Sequence, residues 1–343
     1  MTTTDAGPGT GPGAGLGDGA TERYWAAVDT GDAPAARDVA LAALDAGATL
    51  PQVLDGLVGE AQRRVGRLWE RAEWTVAREH GATAVGEFVV RSLRERTRHG
   101  AHTRGGRPLL VLCAEREWHA LPALMLSARL EHEGHPVHYL GADVSTAVLQ
   151  GALMETGPRA VLVSASLSSS LVYVRRHVEA ARAVRVPVVV GGSAFDPAGA
   201  RARRLGASAW VGPGDDTGAV VAALPTSVPP AEDLPGPGAR EADTLMASHA
   251  AVAGDVVARM RADRTANRNA LEAIVDQVPH VVGSLAAALL LDDPRIVDES
   301  GVWLREVASA RGCDGDTVSA VWSSLERQVA DFPCARALLA RRA

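Results

Sequence analysis

The sequence contains no lysine, so arginine supplies all 35 of its basic side chains. We attribute this to a coding bias rather than to chemistry. Acidic residues number 41, and the formal net charge is −6 at pH 7. This balance gives no general attraction to nucleic acid or to anionic lipid, so we expect neither as a direct partner.

Cysteine is also scarce. Cys113, Cys313 and Cys334 are far apart and form no CxxC pair, so neither a disulfide framework nor a zinc site is expected. Residues 1–20 have no charged segment and no apolar run, which argues against a secretion signal. No run of about 18 apolar residues is free of charges and breakers, so no membrane span is predicted. A cytoplasmic protein fits these features.

The chain divides into five regions by composition and periodicity. Residues 1–20 are rich in Gly, Thr and Ala and are predicted to be a disordered tail. Apolar residues recur at helical spacing over 21–100, which predicts a bundle of four or five short helices. Strand and helix patterns alternate over 105–224, which is typical of a flavodoxin-like, doubly wound parallel sheet. Prolines mark a semi-rigid linker over 225–240, and residues 241–343 read as an all-helical domain. The predicted fold is therefore α/β plus all-α.

The loop after the first predicted strand, Leu109–Cys113, carries the first candidate site. It lies where a doubly wound sheet binds its ligands, at the carboxyl end of a parallel strand. The imidazole of His119 can ligate a metal there, and Glu117 is placed to fix its tautomer. A solvated polar loop without a ligand is the alternative.

Two further strand ends favour a ligand site over a solvated loop. Ser164-Ala165-Ser166-Leu167 ends the third strand with small hydroxyl residues, which leave room and donors for a polar ligand. Gly191-Gly192 ends the fourth strand, where missing side chains let a ligand lie against the backbone. Together with His119, these ends predict a slot along one edge of the sheet.

The combination resembles the cobalamin-binding domain family. The family pattern D/E-x-H-x-x-G reads here Glu117-Trp118-His119-Ala120-Leu121-Pro122. The resemblance implies cobalamin bound base-off, with its tail in the slot beside Ser164, Ser166, Leu167, Gly191 and Gly192. It makes His119 the lower axial ligand to cobalt, with Glu117 and Trp118 beside it. Pro122 replaces the final Gly of the pattern, although Pro suits the first turn of a helix.

A second motif lies in the helical region. Trp69 is followed by Glu79-His80 in the spacing W-x9-E-H. Core packing of the Trp is one interpretation. The spacing also resembles cobalamin-dependent photoreceptors, in which the Trp covers the 5′-deoxyadenosyl face of adenosylcobalamin and the Glu and His line the same cap. In their best-known members a His follows the cap Trp, whereas Glu70 stands here, so His80 or water is the candidate upper ligand after illumination. Those members also begin with a DNA-binding domain, for which we find no sequence signal.

The C-terminal helices admit two interpretations. One is a purely structural or dimerisation bundle. The other is a globin- or phycocyanin-like sensor domain, because a cobalamin domain followed by such a domain resembles the photocobilins, which also hold a bilin such as biliverdin. Neither Cys313 nor Cys334 lies in an attachment motif, so noncovalent binding is favoured. The candidate bilin-binding residues are His249, His280, Arg295, Trp303 and Arg305.

These features predict a light sensor rather than an enzyme, because no catalytic constellation can be recognised. Its signal would pass to an unidentified partner protein or through a change in a homo-oligomer. The alternative is a corrinoid methyl-carrier protein of a methyltransferase system, with a structural C-terminal bundle.

Overall fold

The computed structural model describes residues 15–98, 105–234, 236–262, 268–313 and 315–341. They form two compact units. The helical unit comprises Met1–Trp69, Glu73–Thr103 and Leu124–Gly134, and the sheet unit comprises Glu70–Ala72, Arg104–Ala123 and His135–Ala343. The predicted disordered tail, 1–20, falls mostly outside the described residues. Within its described part Leu16 is buried, and the first helix begins at Ala20.

Helices separated by tight turns build the helical unit, as the apolar spacing predicts, but one of them, Val76–Arg98, is longer than the short helices expected. Capping residues set where they begin. Asp32 accepts a hydrogen bond from the backbone N–H of Ala35 at 2.9 Å, and Thr49 forms a capping box with Gln52. The helices are α1 (Ala20–Thr30), α2 (Ala33–Asp45), α3 (Leu50–Val53), a π-helical segment (Leu54–Gly59), α4 (Glu60–Glu70) and α5 (Val76–Arg98).

The next helix, α6 (Ala120–His132), contributes its residues from Leu124 onward to the same unit. Arg94 of α5 donates to both carboxylate oxygens of Glu131 at 2.7 and 2.8 Å. Arg129 forms an ion pair with Asp55 of the π-helical segment. These contacts tie α6 to the bundle, in addition to its role as a connection between strands.

Five parallel strands form one sheet in the order β2-β1-β3-β4-β5, which confirms the predicted flavodoxin-like topology. The central strands β1 and β3 are buried along their whole length, because helices cover both faces of such a sheet. The strand order reverses between β1 and β3, and ligands of this fold bind at that point. The strands are β1 (Leu109–Cys113), β2 (Val137–Gly141), β3 (Ala160–Ser164), β4 (Val188–Gly191) and β5 (Ala209–Val211).

Helices alternate with these strands as the sequence pattern predicts, except that α10 was not anticipated. Ser145 caps α7 by accepting a hydrogen bond from Val148 N, and Gly157 ends it in a left-handed conformation. The elements are α7 (Thr146–Thr156), a 3-10 turn (Ser168–Ser170), α8 (Leu171–Ala183), α9 (Ala200–Arg204) and α10 (Thr217–Ala223).

The proline-rich segment predicted as a linker over 225–240 is shorter and more firmly held than expected. Helix α11 already begins at Pro237. Arg159 donates to the carbonyl oxygens of Leu224 and Pro225, and Arg182 donates to that of Pro229 at 2.8 Å. These bonds fix the segment to the sheet unit, so it does not act as a free spacer.

Helices from Pro237 onward form what we call the C-terminal bundle. It belongs to the sheet unit rather than to a separate body. The segment Leu271–Leu291 has the length and composition of a membrane span, but 78% of its most apolar 18 residues are buried within the fold, which is typical of helices in a protein core. The helices are α11 (Pro237–Ala247), α12 (His249–Ala262), α13 (Arg268–Val275), α14 (Val278–Leu291), α15 (Arg295–Ala310), α16 (Gly315–Gln328) and α17 (Pro333–Leu339).

A buried arginine joins α9 to this bundle. The side chain of Arg201 is only 4% exposed. Its guanidinium donates to Asp293 at 3.0 Å, to both carboxylate oxygens of Glu299 at 2.7 and 2.8 Å, and to the carbonyl oxygen of Ala194 at 3.1 Å. A buried charge is tolerated only when it is paired in this way.

Candidate functional site

The carboxyl ends of β1, β3 and β4 are aligned at one edge of the sheet. Cys113 of β1 pairs with Ser164 of β3, and Ser164 pairs with Gly191 of β4. The residues that follow each strand therefore emerge side by side at one edge of the sheet. These are the strands after which the sequence predicts the candidate residues His119, Ser166 and Gly192.

Glu117 connects two of these loops. Its side chain is fully buried, although it carries a charge. Oε1 lies 2.5 Å from Nδ1 of His119 and accepts the His119 backbone N–H at 3.1 Å. Oε2 accepts the backbone N–H groups of Ser166 and Leu167 at 2.7 and 2.9 Å. One carboxylate thus joins the loop after β1 to the loop after β3, across the point where the strand order reverses.

The charge of Glu117 is stabilised by these partners. Burial alone would raise the pKa of its carboxyl group. The hydrogen bond and charge of His119, together with the amides of Leu167 and Ser166, outweigh burial and hold the pKa of Glu117 below its usual range. The group is therefore an anionic acceptor toward His119 at neutral pH.

His119 is oriented by this contact. With Nδ1 donating to Glu117, Nε2 is the ring nitrogen that carries a lone pair for a metal. The His119 side chain is 54% exposed, whereas its partner Glu117 is wholly buried. A buried carboxylate that holds a half-exposed imidazole is the arrangement that a histidine ligand requires.

The loop that presents Glu117 is held in an uncommon backbone conformation. Arg116 has φ +62° and Asp143, in the loop after β2, has φ +48°. The Arg116 N–H donates to the Asp143 carboxylate at 2.6 Å, and the Asp143 N–H donates to the Glu117 carbonyl at 3.0 Å. Strained residues of this kind cluster at functional sites. The contribution of Asp143 could not be predicted from the spacing of residues in the sequence.

The predicted slot lies between the loops after β3 and β4. The Ser193 hydroxyl donates to the Ser166 carbonyl at 3.0 Å, so the two loops touch. Gly192 has φ +112°, and a Cβ placed on it would lie 2.3 Å from the carbonyl oxygen of Ala165. Only glycine allows this close backbone approach.

Two neighbours of His119 bear on the predicted motif. Trp118 is 70% exposed, so its indole is available to a ligand. Pro122, which replaces the family's Gly, lies in the first turn of α6 and is exposed. Proline is compatible with that position because a first-turn N–H has no partner within the helix.

The predicted cap residues lie in the helical unit. Trp69 is near the end of α4, and Glu79 and His80 are in the first turns of α5. Gln62 donates to Thr83 at 2.8 Å across these helices, and Thr83 donates to Glu79 at 3.0 Å. The first of these bonds joins α4 to α5, and the short turn between them places Trp69 and the Glu79-His80 pair on its two sides.

The turn that joins α4 to α5 is braced by a stack that the sequence argument missed. The Trp25 and Trp74 rings stack with centroids 5.7 Å apart. Arg64 covers the outer face of Trp25, and Arg78 covers that of Trp74, at 4.1 and 4.2 Å. Trp74 is buried, so among the tryptophans near the motif it has the structural role.

The structure brings two of the predicted bilin residues together and places a third elsewhere. His249 and His280 lie together, because His249 bonds to the carbonyl oxygen of Pro279, directly before His280. Arg295 instead pairs with Asp293 at 2.7 Å, beyond the other end of α14, so roughly 17 Å of helix separates it from His280. Trp303 and Arg305 lie on α15, a helix that packs on α14.

Residues 107–222 match a family described as B12 binding domain, and residues 20–94 match a second family with the same description. No curated protein sequence matches the chain.

Three solved structures resemble it at low identity. The monomethylamine corrinoid protein of Methanosarcina barkeri is 16% identical, with a TM-score of 0.49, over 56% of this chain and 92% of that one. The methanol:cobalamin methyltransferase complex MtaBC of the same organism is 16% identical, with a TM-score of 0.31, over 60% and 81%. A cobalamin-binding protein from Desulfitobacterium hafniense DCB-2 is 17% identical, with a TM-score of 0.32, over 59% and 95%.

The two family matches together span most of both regions in which the site residues were predicted. The match over 107–222 includes the loops that carry His119, Ser164 and Gly192, and the match over 20–94 includes Trp69. Residues 20–94 and 107–222 are therefore B12 binding domains, and the chain is a cobalamin-binding protein.

Proposed function

We propose that this chain binds adenosylcobalamin with His119 as the lower cobalt ligand and acts as a light sensor rather than as an enzyme. The contact between Glu117 and His119 carries the ligand assignment. Among the described residues, no group of three or more His, Cys, Asp or Glu side chains could hold a free metal ion. A cobalt ion carried within a corrin ring needs only one protein ligand below it, and His119 is suited to that role.

The other residues of the site fit the rest of the cofactor. Gly192 brings the loop after β4 against the carbonyl oxygen of Ala165, and Ser164 and Ser166, on either side of Ala165 in the chain, have hydroxyl groups that can bond a polar tail. The exposed indole of Trp118 offers an apolar surface next to His119. These residues would hold the nucleotide tail and the lower side of the cofactor.

The light-sensing part of the proposal depends on the motif of Trp69, Glu79 and His80. When bound, adenosylcobalamin supplies a cobalt–carbon bond that light breaks. The indole of Trp69 would stack on the adenosyl group, and Glu79 would offer it a hydrogen-bond acceptor. Thr83 of α5 bonds both to Glu79 and to Gln62 of α4. A displacement of Glu79 would therefore alter the contact between α4 and α5. Such a change would shift the populations of two packing states and signal to a partner or to a second copy.

A bilin in the C-terminal bundle is the second part of the proposal. His249 and His280 are its best-placed candidates, because they lie together beside the loops of the sheet. Arg295 is the weakest candidate, since its guanidinium already donates twice to Asp293. A bilin would extend the absorption of the protein toward red light.

Spectra of the full-length protein test the proposal. We expect green light to change the absorbance of the adenosylcobalamin complex, and added biliverdin to give a red-shifted band. Trp69→Ala should weaken adenosylcobalamin binding about tenfold relative to methylcobalamin, as the loss of one stacking contact predicts. Trp69→Phe is the matched control, because it keeps an aromatic ring at the same position and should retain most of the preference for adenosylcobalamin.

The contrary results are equally specific. If the adenosylcobalamin complex is unchanged by light and Trp69→Ala binds adenosylcobalamin as tightly as wild type does, the protein is better described as a corrinoid methyl carrier. If biliverdin gives no red-shifted band, the C-terminal bundle is structural.

A further inference from the structure

The loop between β3 and α8 has contacts on both of its sides. On one side, the backbone N–H groups of Ser166 and Leu167 bind the carboxylate of Glu117. On the other side, the Oγ atom of Ser169 lies 3.3 Å from Nδ1 of His280, on the first turns of α14. The same short loop therefore contacts both the partner of the predicted cobalt ligand and the C-terminal bundle.

Helix α14 fits closely against this loop. A Cβ placed on Gly283 would lie 2.7 Å from Cβ of Ser169 and 3.4 Å from its carbonyl oxygen. The first of these distances is shorter than real side chains tolerate, so the helix reaches the loop only because residue 283 is glycine. The loop cannot move toward α14 without a clash.

The first turn of α14 is itself fixed. His249, which is buried, bonds through Nε2 to the carbonyl oxygen of Pro279 at 2.8 Å. The pKa of His280 also depends on the charges of the candidate site. Burial lowers its pKa, while the charge of Glu117 acts to raise it and that of His119 to lower it further. His280 is therefore within electrostatic reach of the pair formed by Glu117 and His119.

We infer that His280 and Gly283 are positioning residues that couple the C-terminal bundle to the lower cobalt ligand. They hold the loop of residues 165–170, this loop holds Glu117, and Glu117 orients His119. The inference rests on the proposed function, because it requires His119 to ligate cobalt. A ligand or partner that moves the first turn of α14 changes the binding of cobalamin, and by linkage cobalamin binding changes the affinity of the bundle for that ligand.

The first test needs no cofactor. In the full-length protein, Gly283→Ala should push the loop away from α14 and speed hydrogen exchange at the amides of Ser166 and Leu167. Gly254→Ala is the matched control, because this helical glycine of the same bundle has no atom within 4 Å of an added Cβ. Equal exchange in the two variants would overturn the inference.

The second test measures cobalt ligation. Protein labelled with ¹⁵N-histidine is loaded with cob(II)alamin, and a histidine ligand changes the nitrogen splitting of its electron paramagnetic resonance from a triplet to a doublet. We expect His280→Ala to reduce the doublet fraction and weaken cobalamin binding roughly fivefold, as for one lost hydrogen bond. His280→Asn keeps a polar atom near the position of Nδ1 and should restore both. Exposed His138 provides the control substitution, His138→Ala.

The outcomes separate the two proposals. A doublet in wild type that persists unchanged, with unchanged affinity, in His280→Ala overturns the coupling and leaves the role of His119 intact. A triplet in wild type, with ¹⁵N-histidine present throughout, overturns the ligation by His119 and the coupling with it. Circular dichroism of each variant checks that it is folded.

Discussion

Glu117→Gln is expected to lower cobalamin affinity roughly 10- to 100-fold, the usual cost of losing the group that orients a metal-bound histidine. The amide oxygen of Gln can still accept the N–H groups of Ser166 and Leu167. Its NH₂ group then faces Nδ1 of His119, where the carboxylate accepted a hydrogen bond from Nδ1–H. Nδ1 must become an acceptor, so the proton moves to Nε2 and blocks the nitrogen that would bind cobalt.

Titration of cobalamin into the variant, followed by its absorption spectrum, measures this effect. Glu115→Gln is the control, since Glu115 is a carboxylate of the same loop whose hydrogen bond from Thr146 N is a long one, at 3.4 Å. His119→Ala should remove the histidine-ligated spectrum altogether. Retention of both the affinity and that spectrum in Glu117→Gln would show that the carboxylate does not set the tautomer of His119.

Arg201→Ala is expected to reduce the free energy of unfolding by about 3 kcal/mol, the lower end of the range for breaking a buried ion pair. The substitution removes the donor to Asp293, Glu299 and the Ala194 carbonyl, and it leaves a void where the arginine lay. Asp293 keeps Arg295 as a partner, and Glu299 is half exposed, which limits the loss. The bundle should therefore loosen from α9 before the sheet unfolds.

Urea denaturation followed by circular dichroism gives the comparison. Arg204→Ala is a close control, because Arg204 lies on the same helix and pairs with Asp292, the neighbour of Asp293, at 3.7 Å. That pair is exposed, so its loss should cost about 0–1 kcal/mol. Equal destabilisation by the two substitutions would mean that the buried cluster does not hold the bundle in place.

The bundle's attachment was not predictable from the sequence. The prolines between α10 and α11 suggested a linker between independent domains. Arginines that are distant in the sequence, such as Arg159 and Arg182, fix that segment by donating to its carbonyl oxygens. Hydrophobic periodicity does not reveal such contacts. Every residue has a backbone carbonyl, so a side chain that donates to one places no restriction on the type of residue that accepts the bond.

The candidate bilin residues illustrate the same limit. They were grouped because His, Arg and Trp suit a bilin chemically. The length of α14 separates His280 from Arg295, and an ion pair with Asp293 already engages Arg295. Residue type suggested the chemistry, but the packing of the helices determines which of these residues can act together.

By itself the sequence determined the parallel sheet, the strand ends at which the candidate ligand-binding loops lie, and the pairing of Glu117 with His119. These follow from local rules: buried strands are continuous apolar runs, and the carboxyl ends of parallel strands meet at one edge. Only the tertiary structure decided that the amides of Ser166 and Leu167 donate hydrogen bonds to Glu117. It also decided that His280 and Gly283 contact the same loop. The contact of Ser169 with His280 joins residues 111 positions apart in the chain, and close packing between distant segments is set by the whole fold rather than by any local pattern.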